Sequence, residues 1–362
     1  MTTRLALTCL LSLACESSTT PLAGGDGSPS GGDASATQDA AGSGGDAGGS
    51  GGALGTVAEL DDPCPDGAGE LPGTTCQLVE VSCPGIPPLR AQVRITAPST
   101  DATPRGTILF GTGGGGESWY EGGSGSPARG MMRSLAGDGF RVVQRAWLEQ
   151  WESGGAGLAA AACRYATLLT WVDDDLNREG GALCATGNSG GSAEIGYALS
   201  RWGREAILDL AVPTGGPVMS RVDLGCLDFD AWIDECQEVL DGTSCEPANV
   251  QCNYDGSNFV HIDGAYLPDT PCELHDQSFA GTLLADSILS PDADVDFGAT
   301  PVHQLIGERD CSPALPQGVA WYDAVVSLKQ QTFVAATGHG TAGTTEGAAA
   351  IGRVLDEECV VR

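Results

Sequence analysis

The stretch Ala182–Gly203, ALCATGNSGGSAEIGYALSRWG, constrains the fold more than any other part of the chain. An apolar run, Leu183 to Thr186, meets Gly187-Asn188-Ser189-Gly190-Gly191, and a helix-forming segment follows at once from Ser192 to Trp202. That order reads as a strand, a sharp turn and a helix. A serine at such a turn must take a strained backbone conformation, and glycines at 187 and 191 let strand and helix approach closely. Its hydroxyl is then held clear of the sheet. The amide of Gly190 opens the helix, where backbone N–H groups lack intrahelical acceptors and can bind an oxyanion. A chain with 54 glycines can place the same five residues in an ordinary turn, so the motif counts only in its context.

The context is a regular alternation. Gln77 to Val81 and Arg90 to Ala97 read as short strands, the second with Ala91, Val93 and Ile95 in alternation. Gly106 to Phe110 is apolar enough for a buried strand and runs into Gly111-Thr112-Gly113-Gly114-Gly115-Gly116, a loop whose bare amides can face a ligand. Pro127 to Ala136 reads as a crossover helix, Gly139 to Trp147 as the next strand, and Gly157 to Leu176 as a helix with an apolar side. After the turn at Ser189, Ala206 to Val212 and Pro301 to Gly307 are further buried strands. Leu315 to Gln330 reads as a helix, Thr332 to Ala336 as the last strand and Thr345 to Glu357 as a final helix. Such alternation specifies an α/β fold, a mostly parallel central sheet with helices on both faces. Between 213 and about 280 the pattern breaks, and Cys226, Cys236, Cys245, Cys252 and Cys272 sit among turn residues. Long irregular insertions that carry so many cysteines are ordered, and this one reads as a disulfide-rich cap over the carboxyl ends of the strands.

In this setting G-x-S-x-G resembles the nucleophile elbow of the α/β-hydrolase superfamily of serine esterases and lipases, with Ser189 at the nucleophile position. The resemblance implies a triad in the chain order Ser, then Asp or Glu, then His, each at a strand exit, and Ser189, Asp310 and His339 fit that order. The superfamily also implies a second oxyanion donor from the Gly-rich loop, so Thr112, Gly113 and Gly114 are candidates beside Gly190. Of the four histidines, His261 and His275 fall in the cap and His303 lies near a strand start. His339, between two glycines past the last strand, has no core to fill. For the acid, Glu308, Asp209 and the loop residues Asp292, Asp294 and Asp296 stay open beside Asp310. The implied activity is hydrolysis of a small-molecule or polymeric carboxylic ester through an acyl-enzyme, with no cofactor and no metal. A peptidase or amidase on the same fold, or a cell-surface binding module with a vestigial triad, are the alternatives.

Charge and cysteine usage narrow the partners and the compartment. A formal charge of −31 repels phosphate backbones and excludes nucleic acid as a partner. Fourteen cysteines without a single C-x-x-C pair point to disulfides rather than zinc, hence to an oxidising compartment. Met1–Ala14 carries Arg4 and then an apolar run too short to span a bilayer, which reads as a signal peptide. Leu11-Ser12-Leu13-Ala14-Cys15 resembles a bacterial lipoprotein cleavage box, with Cys15 as the acylated residue and membrane anchoring as the consequence. Ser12 stands where that box usually has an aliphatic residue, so a plain cleaved signal remains the alternative. Loss of Cys9 and acylation of Cys15 would leave twelve cysteines, an even number for bridges. Residues 16–57, rich in Gly, Ser, Ala and Asp, bury too little to offset their ordering entropy and read as a disordered linker ahead of a catalytic domain over 58–362.

Overall fold

Successive side chains of the central strands enter two different cores. Ile108, Phe110, Val142, Cys184, Leu210 and Val212 belong to one cluster, whereas Leu109, Val143, Leu183, Ala185 and Ala211 belong to the other. Strands buried on both faces have no polar side to show, which is why they read as continuous apolar runs. The computed structural model describes residues 52–99, 104–227, 229–238 and 241–362. The expected signal segment, Cys15 and the linker up to residue 51 lie outside the described residues.

The strands are β1 (Thr56–Leu60), β2 (Thr74–Ser82), β3 (Leu89–Thr96), β4 (Gly106–Gly111), β5 (Phe140–Trp147), β6 (Ala182–Asn188), β7 (Leu210–Thr214), β8 (Val302–Gly307) and β9 (Lys329–Val334). They form one nine-stranded sheet in the order β1-β2-β3-β5-β4-β6-β7-β8-β9. The pairs β1–β2, β2–β3 and β3–β5 are antiparallel and the rest are parallel. The helices are α1 (Pro127–Gly137), α2 (Leu158–Ala161), α3 (Cys163–Trp171), α4 (Gly190–Ser200), α5 (Val222–Cys226), α6 (Asp230–Cys236), α7 (Ser257–Asp263), α8 (Ala280–Asp286), α9 (Ala314–Ala324) and α10 (Thr345–Glu358). Met131, Met132 and Leu135 of α1 pack with Ile351, Val354 and Leu355 of α10 on one face. Tyr165, Leu168 and Leu169 of α3 pack with Ala193 and Tyr197 of α4 on the other.

Three boundaries differ from the sequence reading. The strand expected from Ala206 starts at Leu210, opposite Cys184, because Arg204–Ala206 closes a single tight turn and the Asp209 carboxylate accepts the Leu183 amide. The helix expected through Gln330 stops at Ala324, and β9 begins at Lys329. The added residues at its start, Lys329 to Gln331, are polar and partly exposed, so their pairing with β8 rather than any apolar pattern defines them. Pro213 belongs to β7, opposite Gly187, and the irregular connection to β8 runs from 215 to 301 with α5 to α8 inside it. Among the described residues no helix is long and apolar enough to cross a membrane.

Among the described residues six disulfides join Cys64–Cys76, Cys83–Cys163, Cys184–Cys359, Cys226–Cys272, Cys236–Cys252 and Cys245–Cys311. Two lie wholly within the cap, and Cys245–Cys311 fastens it to the loop after β8. Cys184–Cys359 ties the central strand β6 to the end of α10 across 175 residues. Replacing both of its cysteines by alanine is expected to cost about 2–5 kcal/mol, read as a lower urea midpoint.

Candidate active site

Backbone contact between two glycine loops builds the site. Ser189, between β6 and α4, has φ 54° and ψ −116°, a left-handed conformation that a residue with a Cβ adopts only under constraint. Its amide donates to the Thr214 carbonyl of β7 at 3.0 Å, and its carbonyl accepts from the Ser192 hydroxyl at 2.5 Å. A Cβ on Gly190 would run into the Gly114 carbonyl, and one on Gly191 would lie 2.5 Å from the Gly111 carbonyl oxygen. One on Gly187 would strike the Gly191 carbonyl. Glycine is required at these positions because backbone from strand, loop and helix occupies the same small volume.

Asp310 and His339 come from the loops after β8 and β9. His339 Nδ1–H donates to Asp310 Oδ2 at 2.9 Å, and Asp310 Oδ1 accepts from the Ser312 hydroxyl at 2.6 Å and the Ser312 amide at 3.2 Å. With the carboxylate as acceptor, Nδ1 carries the proton and Nε2 keeps its lone pair. Asp310 is 1% exposed and the His339 side chain 38%. The other candidate acids have different neighbours, and Glu308 lies 3.9 Å from its neighbour Arg309. Asp209 accepts the Leu183 and Arg362 amides, Asp292 pairs with Arg201, and Asp294 and Asp296 accept amides of their own loop. His303 is buried between Glu358 and Thr332, and His275 Nδ1 lies against the Cys226 carbonyl.

Ser189, His339, Gly190, Gly113 and Gly114 border one cleft of about 370 Å³. No direct hydrogen bond joins the Ser189 hydroxyl to the imidazole, so the two share the cleft rather than a proton. Among the described residues the amides of Gly113 and Gly114 donate to no acceptor, and that of Gly190 opens α4. Thr112 does not border the cleft: its hydroxyl donates to the Ser118 carbonyl at 2.9 Å and its carbonyl accepts from Arg145 at 3.2 Å.

Sequence reasoning missed four residues that matter here. Arg145 of β5 and Glu194 of α4 are fully buried and paired. Arg145 also donates to the Gly116 carbonyl at 2.9 Å, and Glu194 accepts from Trp147 Nε1 at 2.7 Å, so the pair staples the glycine loop to the elbow helix. An arginine in an apolar strand and a glutamate in an apolar helix were the available signal. Glu152 borders the cleft at 1% exposure with no hydrogen-bond partner for either carboxyl oxygen. Burial pushes its pKa well above the ordinary carboxyl range, Glu194 and Glu117 add to this, and its own amide and Arg145 oppose. His261, on α7 of the cap, lies against Gly114 with its Nδ1 buried and unpartnered, and burial lowers its pKa.

The sheet order, the turn at Ser189 and the inserted cap define an α/β-hydrolase fold. Among solved structures the chain is similar to brefeldin A esterase, described as a bacterial homologue of human hormone sensitive lipase. The TM-score is 0.51 at 14% identity, over 81% of this chain and 79% of that one. It is also similar to an esterase of Pyrobaculum calidifontis, with a TM-score of 0.50 at 15% identity over 79% of this chain and 85% of the other. At such identities the likeness is one of fold. No family model and no curated protein matches the chain.

Two measurements check the site. Arg145→Leu is expected to cost about 3–5 kcal/mol in urea denaturation by stranding Glu194, and Glu194→Leu in the same chain to recover part of it. A carboxyl whose pKa is higher folded than unfolded loses stabilising effect as pH rises between the two values. Glu152→Gln is therefore expected to raise Tm, and by more at pH 8 than at pH 5.

Proposed function

We propose that the chain is an exported serine hydrolase that cleaves carboxylic esters through Ser189, His339 and Asp310. The observation that carries this reading is a left-handed serine and an aspartate-bonded histidine on the rim of one cleft. The six disulfides support export into an oxidising compartment. Acylation of Cys15 would add membrane anchoring.

In the reaction, His339 Nε2 takes the Ser189 proton as the oxygen attacks the ester carbonyl. Asp310 stays ionised, holds the proton on Nδ1 and stabilises the imidazolium that forms. The carbonyl oxygen gathers negative charge against the amides of Gly190 and of Gly113 or Gly114, which are in place before the charge develops. The imidazolium then protonates the leaving alcohol, and water enters by the same route to release the acid. No step requires a cofactor.

Three variants test the assignment. Ser189→Ala is expected to abolish labelling by a fluorophosphonate and to lower p-nitrophenyl butyrate hydrolysis at least about 10⁴-fold, as is His339→Ala. Asp310→Asn is expected to cost about 10⁴-fold in kcat by stabilising the wrong tautomer. Full activity in Asp310→Asn would pass the role to another acid, and faster turnover of a peptide anilide than of the ester would favour an amidase.

A further inference from the structure

The cleft carries two polar side chains that the proposed triad does not use. Glu152 follows Trp151, whose amide donates to the Gly115 carbonyl at 3.0 Å, so the carboxyl is carried beside the glycine loop. From the other side, a Cβ on Gly114 would lie 3.2 Å from His261 Nε2, which places the imidazole directly over that loop. Both residues border the cleft that holds Ser189, and both bury polar atoms without a protein partner. Apolar residues line other parts of it, among them Val218, Met219 and Ile262. Buried polar atoms left unpaired weaken a fold, and an ordered water or a bound group that supplies the missing partners offsets that cost.

We propose that Glu152 and His261 form a hydrogen-bonding subsite that selects esters carrying a hydroxyl group close to the scissile carbonyl, in preference to plain alkyl esters. The claim rests on the esterase reading and extends it to a substrate class. A hydroxyl both donates and accepts, and so suits a protonated carboxyl, which does the same, and a neutral imidazole. An ammonium group suits the site less well, because it would require Glu152 to ionise against its burial and against Glu194 and Glu117. Placement beside Gly114 puts the recognised hydroxyl within a few bonds of the carbonyl that the loop amides would hold.

Matched substrates read this directly. The acyl side is probed by p-nitrophenyl 3-hydroxybutyrate against p-nitrophenyl butyrate, and the alcohol side by glyceryl monobutyrate against propyl butyrate. In the unaltered enzyme, kcat/KM is expected to favour the hydroxylated member of at least one pair by about tenfold or more. The ratio is expected to fall to near one in Glu152→Leu and in His261→Leu, and to be largely kept by Glu152→Gln, whose amide still donates and accepts. A ratio near one in the unaltered enzyme, or one that survives Glu152→Leu and His261→Leu, overturns the proposal. So does a stronger preference for butyrylcholine than for either hydroxylated ester. Fluorophosphonate labelling of Ser189, run on every variant, separates the two claims. Labelling without selectivity sinks the subsite alone, whereas an unaltered chain that resists labelling sinks the esterase reading with it. Should Glu152→Leu fail to fold, His261→Leu carries the test.

Discussion

The close approach of bare backbone at Gly190 and Gly191 to Gly111, Thr112 and Gly114, and of Gly187 to Gly191, governs the rest of the site. A methyl group at any of those three positions would displace a carbonyl rather than a flexible side chain, so the contact has little freedom to adapt. Its effect is to fix the turn that strains Ser189 and to hold the free amides of Gly113 and Gly114 on the same cleft as the serine. The strain is sustained because several bonds over-determine the turn. Thr214 accepts the Ser189 amide, and Asn188 Oδ1 accepts from the Thr214 hydroxyl at 3.1 Å and the Thr341 amide at 3.2 Å. Through Asn188 the turn is joined to the loop that carries His339.

Such a contact needs support from below, and the Arg145–Glu194 pair provides it. An ion pair in an apolar interior adds little net stability, since desolvation offsets much of the attraction. What it adds here is direction. Arg145 donates to the carbonyls of Thr112 and Gly116, which turns both toward the sheet, and Glu194 anchors the guanidinium to the elbow helix. A loop of four successive glycines would otherwise be costly to order.

Much of this was legible in the sequence because it depends on local rules. Strand alternation, the turn at Ser189 and the six-residue loop after Phe110 follow from apolar runs and glycine placement, and each appears where those rules put it. The structure pairs two of the three residues singled out from the sequence, Asp310 and His339, by a 2.9 Å bond. What was not legible depends on distant pairing. The first three residues of β9, Lys329 to Gln331, are polar and join the strand through pairing with β8, and the start of β7 is set by Asp209 capping the neighbouring strand. In the sequence Glu152 is one of 48 acidic residues, and His261 is one residue of the cap. Only the fold reveals that Glu152 is buried, and His261 half-buried, beside the glycine loop.

The cap's attachment bears on how the cleft works. Cys226–Cys272 and Cys236–Cys252 cross-link it internally, and Cys245–Cys311 joins it to the residue directly after Asp310. The Ser244 amide also donates to the Glu308 carbonyl at 2.7 Å, and the Gln251 amide to the Cys311 carbonyl at 2.9 Å. A cap fastened this way to the loop bearing Asp310 is poorly suited to swing as a free lid. It is better suited to hold α7, and with it His261, at a set distance from Gly114. Preorganisation of that kind makes recognition by a few buried polar atoms worthwhile, because a subsite that had to be assembled at each encounter would lose its gain to ordering. The bridges, the glycine contact and the buried polar pair thus act on one property, the fixed geometry of the cleft around Ser189.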